Sequence, residues 1–125
     1  MSDDIFDAII VGGGLAGGTA AYVLAQAGCD VLVVERGNFA GSKNMTGGRL
    51  YAHSLEKIIP NFAQEAPVER LVTREKISML TETDGVTLDY QHTQQEEEAA
   101  RSYTVLRSSF DQWLMEKAEN AGAQV

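Results

Sequence analysis

Three glycines at fixed spacing, Gly12, Gly14 and Gly17, followed by an acid at Glu35, are the residues in this chain best suited to chemistry. The chemistry they suit is the gripping of an adenine dinucleotide. Gly12 permits a tight turn, Gly14 lets backbone approach a pyrophosphate because no Cβ intrudes, and Gly17 lets a helix lie close against the preceding strand. Gly13, Leu15 and Ala16 complete the stretch. Its backbone N–H groups open a helix whose amino end carries a partial positive charge, and no acid sits there to compete with a bound anion. Glu35 follows Gly17 with seventeen residues between them, where an acid accepts both hydroxyls of an adenosine ribose. Arg36 has two readings: it admits a phosphorylated ribose, which keeps NADP in view, or it lines the adenine end and is solvated.

Such a site requires a strand, a glycine turn, a helix and a second strand in that order, and residues 5–36 supply them. Ile9, Ile10 and Val11 end an apolar run just before Gly12. Ala16, Ala20, Val23, Leu24 and Ala27 fall at helical spacing as the expected inward stripe, with Gly28 as the stop. Val31 to Val34 reads as a parallel strand covered on both faces, and Glu35 stands at its carboxyl end. All of this occurs within about 30 residues, the span of one βαβ unit.

Composition narrows the alternatives. A chain of 125 residues, 44% of them hydrophobic, suits one domain. The net charge of −8, with basic residues scattered, argues against a nucleic-acid partner. No apolar run approaches about 18 residues, so no transmembrane segment is expected, and the acidic start Met1-Ser2-Asp3-Asp4 is unlike a secretory signal. The chain reads as cytoplasmic. Its one cysteine, Cys29, forms no disulfide framework and reads as a packed thiol. His53 and His92 lack ligand-like spacing, so no metal site is expected, and no residue stands out as a general acid, base or nucleophile.

Residues 37–50 form a loop rich in glycine and small polar side chains that leaves the carboxyl edge of the second strand. It is either a second cofactor-facing loop, with Lys43 and Arg49 meeting phosphate charge and Gly47 and Gly48 allowing close approach, or a surface connection. Ser54 to Ile59 suggests a short helix, and Asn61 to Arg70 an irregular stretch. Ile77 and Met79, then Val86, Leu88 and Tyr90, alternate around a Thr83-Asp84-Gly85 turn, which predicts a hairpin. Gln91 to Ala100 reads as a polar tip, and Ser102 to Leu106 as a third antiparallel strand, completing a β-meander over about 72–106. A helix over about 109–121 follows, with Ser108 and Asp111 as a capping box and Phe110, Trp113, Leu114, Ala118 and Ala121 inward. Ala123 to Val125 begins a further parallel strand. The fold class is therefore α/β, a Rossmann-like dinucleotide-binding βαβ unit with an inserted antiparallel β-meander, incomplete and expected to be the amino-terminal part of a longer enzyme.

The motifs taken together, Gly12-x-Gly14-x-x-Gly17, Glu35-Arg36-Gly37, Gly41-Ser42-Lys43-Asn44-x-x-Gly47-Gly48-Arg49-Leu50-Tyr51 and Arg107-x-x-Phe110-Asp111-x-Trp113-Leu114, resemble the amino terminus of FixC flavoproteins. These are relatives of electron-transfer-flavoprotein:quinone oxidoreductase in the glutathione-reductase-like superfamily. The resemblance implies FAD along the Gly12 turn, Glu35 on the ribose, Gly47 and Gly48 towards the flavin, and Arg107 reaching the cofactor from its helix. It also implies electron transfer from electron-transfer flavoprotein subunits, with a ferredoxin-like protein as a further partner, in anaerobic carnitine metabolism or in the supply of reductant to nitrogenase. The later glycine-aspartate segment, the quinone-facing domain and the iron–sulfur cysteines of such enzymes do not occur here, so any peripheral membrane contact would run through regions outside this chain. Two other readings stand beside it: a truncated binding module without turnover, and a dehydrogenase using NAD or NADP.

Overall fold

The computed structural model describes residues 5–92 and 97–125. The acidic start, residues 1–4, and the centre of the polar tip, residues 93–96, therefore lie outside the described residues. Strand β1 (Ala8–Val11) leads through the glycine turn into helix α1 (Leu15–Gln26), which returns the chain to β2 (Val31–Val34). The strands pair in parallel, from Ala8 opposite Val31 to Val11 opposite Val34. Gly28, at φ +82°, reverses the backbone after the helix, a conformation side-chain-bearing residues disfavour.

Strand β3 (Gly47–Tyr51), helix α2 (Ala52–Glu56), β4 (Val68–Leu71), β5 (Arg74–Leu80), β6 (Gly85–Gln91), β7 (Ser102–Leu106) and α3 (Arg107–Asn120) follow, with short 3₁₀ turns at Phe62–Gln64 and Glu98–Ala100. After α3 the chain returns to the parallel pair. The Gln124 N–H donates to the Val31 carbonyl at 2.8 Å, and the Val33 N–H to the Gln124 carbonyl at 2.7 Å. A third parallel segment thus lies beside β2, as the sequence predicts.

The antiparallel part departs from the expected meander. β7 does not extend the β5–β6 hairpin; it runs between β3 and β4 in a separate three-stranded sheet. β3 lies in what reads as loop, and β4 in what reads as an irregular stretch. Alternation reveals that a segment is extended, but its partner is chosen by which apolar faces meet. Tyr103 and Val105 are buried, whereas Ile77, Met79, Val86, Leu88 and Tyr90 of the hairpin share one face and are each more than half exposed.

Two buried clusters meet on α3. Ala21, Ala25, Val31, Val33, Met115 and Ala118 join α1, β2 and α3. Leu55, Phe62, Tyr103, Val105, Phe110 and Leu114 join α2, the three-stranded sheet and α3. Phe62 meets Tyr103 and Phe110 edge-on, with ring centroids 6.1 and 6.5 Å apart, a favourable aromatic geometry. Phe110, Leu114 and Ala118 are buried as expected, while Trp113 and Ala121 are only half-buried. Cys29 is half-buried against the first cluster, consistent with a packed thiol.

The expected stripe of α1 is not the buried one. Ala16, Ala20, Val23 and Ala27 are exposed, and Gly18, Ala21 and Ala25 are buried instead. The reason is close helix packing. The Leu114 side chain lies 3.2 Å from where a Gly18 Cβ would stand, so α1 turns its smallest residues towards α3. One face of the parallel pair is open as well, with Ile9 and Val11 well exposed and Val34 about half exposed, so β2 is not covered on both faces among the described residues. No helix among the described residues is long and apolar enough to cross a membrane.

Candidate functional site

The glycine turn is built by backbone demands that each residue meets differently. Gly12 adopts φ +102° and donates its N–H to the Val34 carbonyl at 2.8 Å, tying the turn to the end of β2. At Gly17 a Cβ would lie 1.9 Å from the Gly12 carbonyl oxygen, so helix and turn touch backbone to backbone. Gly13 is equally constrained: its Cβ would stand 2.9 Å from the Met115 side chain and 3.2 Å from a Glu35 oxygen. Gly14 differs, because its Cβ position has nothing nearer than an Arg107 nitrogen at 3.7 Å and an Asp111 oxygen at 3.9 Å.

Gly14 is also the residue at which α1 starts, with no side chain capping the helix and no acid in its first turn. The opening N–H groups of a helix lack intrahelical acceptors, so this end is prepared for an anion. Leu15 is half-buried against the second cluster and Ala16 is exposed. Open space above Gly14 and uncapped donors behind it suit a dinucleotide phosphate, but the turn is not free of acids as expected: Glu35 takes the Gly13 N–H and an Asp111 oxygen lies 3.9 Å from the Gly14 Cβ position, because folding brings distant carboxylates to it.

Glu35 reaches back to this turn. Its Oε2 accepts the Gly13 N–H at 2.7 Å and its Oε1 accepts the Gly37 N–H at 2.5 Å. Each carboxylate oxygen keeps a further lone pair for a hydroxyl. The Gly37 amide most, then the Gly13 amide, hold the Glu35 carboxyl below the ordinary carboxylate range; desolvation opposes them, and the Lys43 charge and the Arg36 amide add smaller lowering effects.

A depressed folded-state pKa gives a definite sign. The stabilisation from Glu35 is complete above the unfolded carboxylate range and is lost as pH falls through the lowered folded value. Glu35→Gln is therefore expected to remove part of the acid dependence of thermal stability, leaving a flatter melting-temperature profile below about pH 5. Identical profiles for the two proteins would show that the carboxylate does not carry this linkage.

Of the remaining sequence-predicted residues, Arg107, Gly47 and Gly48 are brought together. The Arg107 N–H donates to the Thr46 carbonyl at 3.1 Å, and Gly47 and Gly48 pair opposite Leu106 and Val105. The strand ladder thus carries both glycines to the start of α3. Gly41, at φ +84°, packs on the same helix end; its Cβ would lie 2.8 Å from the Ser108 carbonyl oxygen. Lys43 and Arg36 are exposed, and neither joins an ion pair among the described residues.

The expected capping box does not form. Helix α3 begins at Arg107 with no side-chain cap, and Asp111 points into the protein. Its Oδ1 accepts Arg107 Nε at 2.7 Å, and its Oδ2 accepts Arg107 Nη2 at 2.9 Å and Asn44 Nδ2 at 2.8 Å. A buried carboxylate with a two-point arginine partner outcompetes a solvent-exposed cap. Sequence reasoning missed Asp111 and Asn44 as a pair. The available signal was the i, i+4 spacing of Arg107 and Asp111.

Residues 7–125 match the protein family described as FAD dependent oxidoreductase. The chain is 65% identical over all 125 residues to Protein FixC of Escherichia coli strain K12, and covers 29% of that protein. It is 67% identical over 124 residues to the probable electron transfer flavoprotein-quinone oxidoreductase YdiS of the same strain, covering 99% of this chain and 29% of YdiS. Among solved structures, the myxobacterial chondrochloren halogenase CndH, an FAD-dependent halogenase, superposes with a TM-score of 0.76 at 25% identity, over 98% of this chain and 28% of the halogenase. The chain thus spans less than a third of the length of the relatives it matches.

Proposed function

Given that the chain belongs to the FAD-dependent oxidoreductase family, we propose that it forms the FAD-binding portion of a FixC-like flavoprotein oxidoreductase that receives electrons from an electron-transfer flavoprotein. The observation that carries this reading is the Glu35 carboxylate held by amides at an uncapped, open glycine turn. FAD, when bound, supplies the redox-active isoalloxazine. The chain's own residues would hold it: the amides of Leu15, Ala16 and Gly17 would donate to its phosphates, Glu35 would accept from the ribose hydroxyls, and Arg107 with Gly47 and Gly48 would lie towards the flavin.

The partner assignment is supported by the name of YdiS, a probable electron transfer flavoprotein-quinone oxidoreductase at 67% identity. A ferredoxin-like protein as further partner and a place in anaerobic carnitine metabolism rest on the FixC resemblance, at 65% identity over the chain, and a cytoplasmic setting rests on the acidic start and the single cysteine of the sequence. The gene product carrying these residues is expected to purify with an oxidised-flavin absorbance band that bleaches on addition of reduced electron-transfer flavoprotein. Tighter binding of NADP than of FAD, lost on Arg36→Ala, would reverse the assignment in favour of a nicotinamide dehydrogenase.

Glu35→Ala is expected to weaken FAD binding by about 1–3 kcal/mol, the loss of charge-assisted hydrogen bonds to two hydroxyls. Titration calorimetry with FAD checks this, and an unchanged dissociation constant would remove Glu35 from the site.

A further inference from the structure

Asp111 is a carboxylate with 1% exposure, and its side-chain hydrogen bonds among the described residues are to Arg107 and Asn44. Arg107 engages it through two nitrogens, which fixes the guanidinium plane, and Asn44 closes the other side. Arg107 is nevertheless not sealed in the core. Its side chain is 29% exposed, and its Nη2 stands 3.7 Å from the Gly14 Cβ position, on the open side of the turn. The guanidinium has further N–H donors beyond the two spent on Asp111.

We propose that Asp111 is a positioning residue for the cofactor: it locks the Arg107 fork beside Gly14 so that the remaining N–H groups meet an oxygen of the bound dinucleotide. The inference rests on the FAD-binding reading above. A free arginine loses much side-chain entropy when it is immobilised on a ligand, and one already held by a carboxylate loses less. Asn44 extends the same clamp to the Gly41 loop, so loop and helix start are tied by one carboxylate beside the turn.

The proposal makes a prediction opposite in sign to simple charge reasoning. Asp111 lies 3.9 Å from the Gly14 Cβ position, so as a bare negative charge it opposes an anionic ligand, and neutralising it should tighten binding. As a positioning residue it has the reverse effect. Asp111→Asn, which replaces one acceptor oxygen with an amide that repels the donors of Arg107 and Asn44, is expected to weaken FAD affinity by about tenfold.

The test measures FAD dissociation constants by flavin fluorescence, using the gene product that carries this chain, for wild type, Asp111→Asn, Arg107→Ala and the double variant. Weaker binding by Asp111→Asn, with the double variant no weaker than Arg107→Ala alone, supports action through Arg107. Tighter or unchanged binding by Asp111→Asn, or losses that simply add, overturns it. Arg107→Lys keeps a cation on the buried carboxylate but removes the planar fork, so it tests the same claim if Asp111→Asn does not fold; wild-type affinity in that variant also overturns the proposal. Wild-type protein that binds no FAD at all would instead overturn the flavin reading, and this inference with it.

Discussion

Gly14→Val is expected to abolish FAD retention while leaving the fold in place. The Gly14 backbone is extended, with φ −76° and ψ −170°, a region valine accepts without strain. Nothing lies within 3.7 Å of its Cβ position, so the protein itself has room for the first atom of the side chain. That room is the approach to the uncapped helix start. A branched side chain there fills the phosphate path and crowds Arg107. Each lost hydrogen bond between amide or guanidinium and phosphate costs on the order of 1.5–3 kcal/mol, so losing several lowers affinity by more than about a hundredfold. The ratio of flavin to protein absorbance after gel filtration reads the loss, and circular dichroism reads the fold. A variant that keeps its flavin would place the phosphates elsewhere.

Gly17→Ala is expected to fail differently, losing stability and cofactor together. Its added Cβ would sit 1.9 Å from the Gly12 carbonyl oxygen and 3.3 Å from the Ile10 side chain. The first neighbour is backbone and has no flexible end to swing aside. The turn or the first turn of α1 must move, and Gly12 is itself tied to Val34 through its N–H. The cost lies at or above the upper end of overpacking, about 3 kcal/mol, which for a chain of this size lowers the melting temperature by about 10 °C. Thermal unfolding of the flavin-free protein isolates this effect from binding. A wild-type melting temperature would show that helix and turn are not in contact at this point.

The pair separates two uses of glycine within one motif. Gly14 leaves open space that the proposed ligand would use, and Gly17 lets the chain meet itself backbone to backbone. Gly13 belongs with Gly17, although the motif treats it as variable: Met115, more than 100 positions later in the chain, closes over it at 2.9 Å from its Cβ position.

How much was legible follows from the range of the forces involved. Strand, glycine turn, helix and second strand were readable because their determinants are local: apolar runs, a glycine at positive φ, a helix stop and an acid at the strand end. The inward face of α1 was misread because alanines lie all round the helix and apolar spacing does not choose among them, while close packing of α3 against Gly18 put Ala21 and Ala25 inward. The extended nature of Ser102 to Leu106 was readable, but its partners were not, since alternation is the same whichever strand lies alongside.

By itself, then, the sequence determined that a βαβ unit forms between Ile5 and Arg36, with a glycine turn at the start of its helix and an acid at the tip of the second strand. Tertiary structure decided the rest of the site. Asn44 and Asp111 stand 67 positions apart, and only the insertion of β7 between β3 and β4 brings the Gly41 loop, the start of α3 and the glycine turn together. The physical reason is that local backbone preference is written residue by residue, whereas the choice of which buried carboxylate holds which arginine is made by packing, where desolvated charge must find its partner or the fold loses the cost of burying it.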